Sequence, residues 1–331
     1  MRRREFIALL GGAAASSSLW PLGARAQQPP PPPIPRLGFL RASPAPDSTM
    51  AALRRGLSDQ GYVEGQNYVL LTSWGDGKLG SLPELAKALV SSRVDVILTD
   101  GTQTARQARA ATDTIPIILA GGLDPVKAGL ATDLRRPDGN VTGFTTQVID
   151  LTSKMFEILR ELVPGLASVA IINPKGAGIP FRNAEAATAQ SLRVRLKYFE
   201  IDGAETEPIN RVLGQATADK VQGLVMRGSP FFSTPQRKLI VERIGAHRIP
   251  AIYETREFVE LGGLVSYGTD FSELFRLAAR YIIKVFKGAK IRDLPIDQAN
   301  TFELVINMKT AKALGVAVPP TLIARADNVI E

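Results

Sequence analysis

The chain has 331 residues, enough for two domains of ordinary size, and its formal net charge at pH 7 is +8. It has no cysteine and one histidine, which excludes disulfides, thiolate catalysis and the common zinc sites. The basic residues are spread without a run of five or six, so we expect an ordinary solvated surface and no nucleic-acid partner.

The first 28 residues have the features of an export signal. Arg3-Arg4 precedes a short apolar segment rich in glycine, alanine and serine, and Ala24-Arg25-Ala26 is a small-x-small cleavage site. The alternative, a membrane anchor, is disfavoured because Ile7–Leu22 is shorter than the roughly 20 apolar residues that span a bilayer. We predict a cleaved signal peptide of the twin-arginine type over residues 1–26 and a periplasmic location, with the general secretory route left open. The mature chain then has a net charge of +5, since the leader holds four arginines and one glutamate.

The segment after the leader, 27–35, is rich in proline and predicts a stiff, extended tether. From residue 37 onward, short apolar runs alternate with stretches of helical periodicity. The strands predicted for the first half lie at 37–40, 68–71, 94–98, 115–119 and 141–144. The helices predicted there lie at 48–60 and 82–90, with a third that ends at 111.

The same alternation continues after residue 150. Asp270 and Glu273 form a capping box that opens a strongly apolar helix ending near Lys287-Gly288. The other helices predicted in this half lie at 151–162, 181–192 and 234–244. The strands lie at 169–172, 197–201, 224–226, 251–253 and 302–306. This βαβ alternation predicts two similar α/β halves with parallel sheets, which meet near 143–150.

Motifs for catalysis or nucleotide binding are weak or missing. His247 follows a predicted helix, where a cation interacts favourably with the last carbonyls, so a capping role is favoured over catalysis. Gly176-Ala177-Gly178 follows a strand, but Phe181 stands where the dinucleotide fingerprint needs its third glycine. Glu254 and Glu257 have the spacing of an acid/base pair but are more typical of surface or hinge contacts. The chain has neither a P-loop nor a nucleophile elbow, and we expect no cofactor, no metal and no enzymatic activity.

A polar or glycine-rich segment follows each predicted strand. In open α/β sheets a ligand binds at the carboxyl ends of the strands, where helix N-termini offer N–H groups. Two such halves facing each other would form a cleft suited to a small zwitterion. The predicted ligand-binding residues are Ser43, Trp74, Asp100, Thr102, Gln103, Asp124, Thr145, Asn173, Ser229, Phe231, Tyr253, Glu254 and Tyr267.

Residue chemistry suggests roles within that set. Thr102 and Ser229 suit a carboxylate, whereas Asp100 and Asp124 suit an ammonium group. The aromatic members, such as Trp74, suit an apolar side chain. For each position, a plain turn or cap role remains the alternative.

Almost the whole chain resembles the periplasmic substrate-binding proteins of ABC transporters of the tryptophan/tyrosine type. The ordered segments that carry the resemblance are Arg2–Ile7, Gly61–Asn67, Asp124–Val126, Arg136–Gly143, Leu159–Pro164, Pro250–Glu254, Arg256–Phe258, Ser266–Gly268, Phe302–Asn307, Lys309–Gly315 and Ile323–Asp327. The segment Thr99–Gln103 is more polar than its counterpart in relatives, which is often rich in glycine and alanine.

The resemblance implies the type I periplasmic-binding-protein fold, with two Rossmann-like lobes joined by a three-crossing hinge. The implied N-terminal lobe is 36–145 plus 269–295, and the C-terminal lobe is 146–268 plus 296–331. The implied crossings lie near 143–145, 267–268 and 294–296.

The implied function is that of an importer's solute receptor, a monomer by default, which delivers its ligand to a membrane ABC permease with its ATPase. A sensory binding protein that reports to a chemoreceptor or sensor kinase is the alternative, and an exported enzyme a less favoured one. An aromatic amino acid, a branched-chain amino acid and an aromatic acid all remain open as the ligand.

Overall fold

The computed structural model describes most of the chain after the leader. The described residues are 33–42, 47–122, 124–146, 148–174, 182–201, 206–228 and 232–331. The predicted signal peptide, most of the tether, and three predicted ligand residues (Ser43, Ser229 and Phe231) lie outside these ranges. From Ile34 onward the chain forms one compact unit.

Strands and helices alternate along most of the described residues as predicted. Elements that were not predicted are also present, at Thr206–Ala218, Arg256–Glu260, Val265–Thr269, Ile296–Gln298, Met308–Leu314, Pro320–Ile323 and Asn328–Ile330. The strands are β1 (Arg36–Arg41), β2 (Val69–Trp74), β3 (Val96–Thr99), β4 (Ile117–Ala120), β5 (Val141–Thr145), β6 (Ser168–Pro174), β7 (Arg195–Ile201), β8 (Gly223–Met226), β9 (Ala251–Tyr253), β10 (Val265–Thr269), β11 (Ile296–Gln298), β12 (Phe302–Asn307) and β13 (Asn328–Ile330). The helices are α1 (Asp47–Ser58), α2 (Leu82–Ser91), α3 (Thr102–Ala111), α4 (Val148–Leu162), α5 (Arg182–Ser191), α6 (Thr206–Ala218), α7 (Thr234–Ala246), α8 (Arg256–Glu260), α9 (Phe271–Phe286), α10 (Met308–Leu314) and α11 (Pro320–Ile323).

The strands form two separate sheets. The first has the order β11-β5-β4-β3-β1-β2, and all of its pairs are parallel. The second has the order β13-β12-β10-β9-β8-β6-β7, in which only β10 and β12, among the described pairs, run antiparallel. Successive strands are therefore added on opposite sides of β1 in the first sheet and of β6 in the second, so the strand order reverses between β1 and β3 and between β6 and β8. These reversals are the topological switch points at which ligands bind in such sheets.

Helices pack apolar side chains against both faces of each sheet. The central strands β3, β4 and β8 are buried along their whole length, as expected for parallel strands covered on two sides. Helices α1 and α9 pack on one face of the first sheet, and α2 and α3 on the other. In the second sheet α6, α7 and α8 cover one face, while α4, α5, α10 and α11 cover the other. A cavity of about 10 Å³, lined by aliphatic side chains of β6–β8, α6 and α7, is large enough for one water at most.

The chain crosses between the two sheets three times, which confirms the predicted hinge. It leaves the first sheet after Thr145, returns to it after Thr269, and leaves it again after Gln298. The crossings are joined to each other, because the Ala299 N–H donates to the Thr145 carbonyl (2.7 Å) and the Asp270 N–H to the Thr301 carbonyl (3.1 Å).

The third crossing follows β11, which pairs with β5 in the first sheet. Residues 296–298 were expected in the C-terminal lobe, so the strand places this crossing a few residues later than the sequence pattern indicates. The lobe boundaries otherwise stay a prediction.

Candidate functional site

The carboxyl edges of the two sheets approach each other near the hinge. Arg237 lies on α7, which packs with α6 and α8 over the second sheet, and its guanidinium is buried. Burial lowers the pKa of Arg237, and the charges of Glu257, Arg41 and Asp100 also act on it. Each of the three crossings leaves the carboxyl end of a strand, β5 and β11 in the first sheet and β10 in the second, so the carboxyl edges of both sheets lie at the hinge.

The switch point of the first sheet holds a closed ionic pair. Arg41 ends β1 and Asp100 follows β3, and the Arg41 Nε–H donates to an Asp100 carboxylate oxygen. The Thr104 hydroxyl shares its single proton between the Gly101 carbonyl (2.9 Å) and the second oxygen of Asp100 (3.3 Å). All three of these side chains are buried. The positive and negative charges of the pair offset each other, and Thr104 of α3 holds the Asp100 carboxylate in place.

The N-terminus of α3 lies beside this pair. Thr102 is its first residue, after the N-cap position Gly101, so the first turn presents backbone N–H groups at the carboxyl edge. The loop after β4 lies against it, since a Cβ at Gly122 would be 3.0 Å from both the backbone nitrogen and the Oγ1 of Thr102. Gly122 also has φ of +140°, which disfavours other residues. Gln103 is exposed on the helix.

The switch point of the second sheet holds a larger ionic cluster. Arg227 follows β8, and its Nη2 donates to Glu185 in the first turn of α5 (2.5 Å) and to the Thr152 hydroxyl of α4 (2.6 Å). Its Nη1 lies 3.7 Å from the carboxylate of Glu254, which follows β9 and accepts from the Gly228 N–H (2.8 Å). One guanidinium therefore serves two carboxylates.

This second cluster leaves buried polar atoms without a hydrogen-bond partner. They are the Nδ2 of Asn173, the Oε2 of Glu185 and the Nη1 of Arg227, on residues that are 2%, 2% and 5% exposed. Asn173 is in β6, and the Arg227 N–H donates to the carbonyl of the preceding residue, Ile172 (3.0 Å), so Asn173 and Arg227 are neighbours across the switch point. Buried polar groups of this kind are rare in proteins and call for an explanation.

The other predicted ligand residues in the described ranges have different surroundings. Tyr253 is 1% exposed and stacks on Phe258 in the core, and burial raises its pKa. Trp74 packs edge-on against Phe39, and Tyr267 is half-buried on β10. Thr145 is buried at the first crossing.

Asp124 is exposed and acts as a turn residue. It accepts the N–H groups of Val126 (3.1 Å) and Lys127 (3.2 Å), and these bonds, that of Lys127 most, lower its pKa. The structure therefore brings together Asp100 and Thr102 on one edge and Asn173 and Glu254 on the other.

The residues at the centre of both clusters were not among the predicted ligand residues. Arg41 and Arg227 each follow an apolar strand and open a polar segment, a signal that the sequence does contain. Glu185 has no such signal, because it lies within a helix, and only the fold brings it beside Arg227. Within the described residues, no group of three or more His, Asp or Glu side chains is placed to hold a metal ion.

Two mainly parallel sheets, each with a topological switch point, linked by three crossings define the type I periplasmic-binding-protein fold. The chain belongs to the ABC transporter substrate binding protein family, whose sequence model matches residues 40–330. A tyrosine-binding protein of Clostridioides difficile is 26% identical over 277 residues, 82% of this chain and 77% of the relative.

Solved structures share the fold. An ABC domain of Streptococcus pneumoniae in complex with L-Trp is 24% identical, with a TM-score of 0.79 over 89% of this chain and 99% of that one. A ligand-free, open substrate-binding protein with adhesive properties from Clostridium difficile is 20% identical, with a TM-score of 0.66 over 90% and 99%. No described helix is long and apolar enough to cross a membrane.

Proposed function

We propose that this protein is the exported solute receptor of an ABC importer and that it binds an amino acid between its two sheets. The observation that carries the proposal is the pair of facing carboxyl edges, each with a buried arginine and a carboxylate at its switch point. Family membership and the ligands named for two relatives, tyrosine and L-Trp, support the amino-acid class.

Binding acts through the hinge. The three crossings are hydrogen-bonded to one another through Thr145, Ala299, Asp270 and Thr301, so they bend as one unit. A ligand that contacts both edges gains its full set of contacts only when the lobes are closed, and it therefore shifts the population toward the closed form. The closed form then docks on a membrane permease.

Energy for transport comes from the importer's ATPase, and this chain's part is to capture and present the solute unchanged. Cleavage after Ala26 releases the chain into the periplasm, where it works as a monomer. The leader's paired arginines and its small-x-small site support export.

The test begins with the full chain expressed with its own leader in a Gram-negative host. Intact-mass analysis of the periplasmic fraction is expected to give a protein that starts at Gln27. A thermal-shift screen of this protein then covers the common amino acids, aromatic carboxylates, purines and short sugars. A ligand at a hundred times its Kd stabilises the native state by about 2.7 kcal/mol, so we expect a dose-dependent rise in Tm of several degrees with one or a few amino acids. A rise with sugars or purines alone would contradict the amino-acid class.

A further inference from the structure

The unpartnered atoms at the carboxyl edge of the second sheet are those that an α-amino acid can satisfy. We propose that Asn173 and Arg227 bind the carboxylate of the ligand and that Glu185 binds its ammonium group. The inference rests on the proposed function and adds to it the place and orientation of the amino-acid head group. It departs from the sequence-based prediction, in which Asp100 or Asp124 binds the ammonium.

The hydrogen-bonding valence of the three atoms carries the argument. Asn173 Nδ2 and Arg227 Nη1 are donors, and Glu185 Oε2 is an acceptor. A carboxylate accepts and an ammonium group donates, so a zwitterionic head group matches the set of two donors and one acceptor. Leaving such groups unsatisfied in a protein interior is costly. Six other buried side-chain atoms of the described residues also lack a partner, so the distinguishing feature of this set is that two donors and an acceptor belong to one ionic cluster.

The charge balance of the cluster points the same way. Arg227 contributes one positive charge, whereas Glu185 and Glu254 contribute two negative charges, and the Nη1 of Arg227 is 3.7 Å from Glu254. An ammonium group offsets the excess negative charge, which a plain carboxylic acid would increase. The Tyr198 hydroxyl donates to the Arg182 carbonyl (3.1 Å), and burial first and then the nearby charge of Glu185 raise the pKa of Tyr198 to about 12.

The cluster also lies where a hinge-closing ligand must bind. Asn173 lies near the carboxyl end of β6 and Arg227 directly follows the adjacent strand β8, while Glu185 is in the first turn of α5 and Thr152 in the second turn of α4. At the first sheet, by contrast, none of the polar side-chain atoms of Arg41, Asp100 and Thr104 is among the buried, unpartnered atoms of the described chain.

The test compares ligand analogues that each lack one charged group. Isothermal titration of the mature wild-type protein uses L-tyrosine and L-tryptophan, with L-tyrosinamide lacking the carboxylate and 3-(4-hydroxyphenyl)propionate lacking the ammonium. Glu185→Gln removes the charge with little change in shape, and Asn173→Ala removes one donor. Glu207→Gln is the matched control, since Glu207 is an exposed glutamate in the first turn of the neighbouring helix α6.

We expect wild type to bind L-tyrosine or L-tryptophan, and each analogue at least about tenfold more weakly. Glu185→Gln weakens binding of the amino acid about tenfold but leaves binding of the propionate nearly unchanged, because that analogue has no ammonium to lose. Asn173→Ala weakens binding of the amino acid and the propionate but not that of the amide. Glu207→Gln binds all probes as wild type does. Circular dichroism and the Tm of each unliganded variant establish that it is folded.

Two failures are distinguishable. If wild type binds no amino acid of the thermal-shift panel, the amino-acid class of the proposed function is wrong and the head-group assignment is wrong with it. If it binds an amino acid other than L-tyrosine and L-tryptophan, the amide and the deaminated acid of that amino acid replace the tyrosine analogues. If wild type binds an amino acid and Glu185→Gln keeps both its affinity and its discrimination against the propionate, only the head-group assignment is wrong. A loss of that discrimination in Asp100→Asn instead would place the ammonium at the first sheet.

Discussion

Each sheet carries a buried arginine at its switch point, Arg41 in the first sheet and Arg227 in the second, and each arginine is paired with a carboxylate. The first pair is closed on itself, since the remaining oxygen of Asp100 is bonded to Thr104. The second is open, because Glu185 keeps one buried oxygen without a partner and Arg227 keeps one such nitrogen.

The difference shows that equivalent positions in two similar lobes can serve different ends. A closed buried pair holds loops together, and removing one of its partners destabilises the fold because the other charge is left buried and uncompensated. An open pair leaves donors and acceptors in place, and only another molecule can complete them. Under the head-group proposal, the carboxyl edge of the first sheet is a rigid side of the cleft, and that of the second sheet carries the groups that recognise the ammonium and carboxylate of the ligand.

Removing Asp100 is expected to have the largest effect on stability. In Asp100→Ala the guanidinium of Arg41 stays buried without its carboxylate, which costs about 3–5 kcal/mol of unfolding free energy. Urea denaturation followed by circular dichroism measures this loss. Asp113→Ala, at an exposed aspartate before β4, is the control and is expected to change stability by less than about 0.5 kcal/mol. A loss below about 1 kcal/mol in Asp100→Ala would contradict the closed-pair interpretation.

The hinge between the two edges is expected to make stability depend on pH. Glu303 is the second residue of β12, just after the third crossing. It is 7% exposed, and its carboxylate accepts a hydrogen bond from the Arg256 guanidinium (2.8 Å). Burial, opposed by Arg256 and reinforced by Asp270, Glu257 and Glu260, raises its pKa to about 7 from an ordinary value of 4.5. Folding therefore favours the protonated carboxyl. The resulting stabilisation is complete below pH 4.5 and is lost as the pH rises through about 7.

Urea denaturation between pH 4 and pH 8 tests this expectation. We expect Glu303 to contribute a fall of order 2 kcal/mol between pH 4.5 and pH 7.5. Glutamine has nearly the same shape as glutamate but does not titrate. Between pH 4.5 and pH 7.5, the unfolding free energy of Glu303→Gln should therefore fall by about 2 kcal/mol less than that of wild type. Parallel profiles for the two proteins would show that Glu303 titrates near its ordinary value.

Most of the fold follows from hydrophobic periodicity. The buried strands β1, β3, β4 and β8 lie within two residues of their predicted bounds at either end, because an apolar run that is covered on both faces has no polar interruption. The N-cap half of the predicted capping box at α9 is confirmed, since Asp270 accepts the Glu273 N–H (3.0 Å). The reciprocal half was wrong, because the Glu273 carboxylate accepts from Arg276 and the Asp270 N–H donates to the Thr301 carbonyl. By contrast β11 and β13 have three residues each, which is too short for a recognisable hydrophobic period. They are strands because they pair with β5 and β12, a contact that the local sequence does not indicate. Helix α6 was not among the predicted elements, although its buried residues Ile209, Val212, Leu213 and Ala216 follow helical spacing.

The candidate site was predictable only where it follows strand ends. Asp100, Asn173 and Glu254 were predicted from that rule, and they lie at the carboxyl edges of the two sheets, while their role in ligand binding stays a prediction. Tyr253 obeys the same rule but alternates inward, so its ring lies in the core. Glu185 comes from a helix 42 residues before its partner Arg227, and no local pattern indicates that pairing.

The smallest expected effect comes from removing the whole second pair. Arg227→Met with Glu185→Leu replaces two buried, oppositely charged side chains by apolar ones of similar length. Exchanges of this kind in other proteins are neutral or stabilising, because the cost of desolvating both charges is removed together with their attraction. Glu254 also loses its ion pair with Arg227, but its side chain is partly exposed and keeps the Gly228 N–H as a donor (2.8 Å). We therefore expect the unfolding free energy of the double variant to stay within about 1 kcal/mol of wild type, while amino-acid binding is lost.

The single variants provide the matched comparison for that experiment. Arg227→Met alone leaves Glu185 buried and uncompensated and should lose about 3–5 kcal/mol, which the second substitution then restores. A double-mutant cycle from urea denaturation gives the coupling energy directly. If the double variant is as unstable as Arg227→Met, the pair holds α5 to the sheet much as Arg41 and Asp100 hold α3, and the two edges are alike. If stability returns without binding, the second pair is kept for the ligand, and the contrast between the edges is one of function.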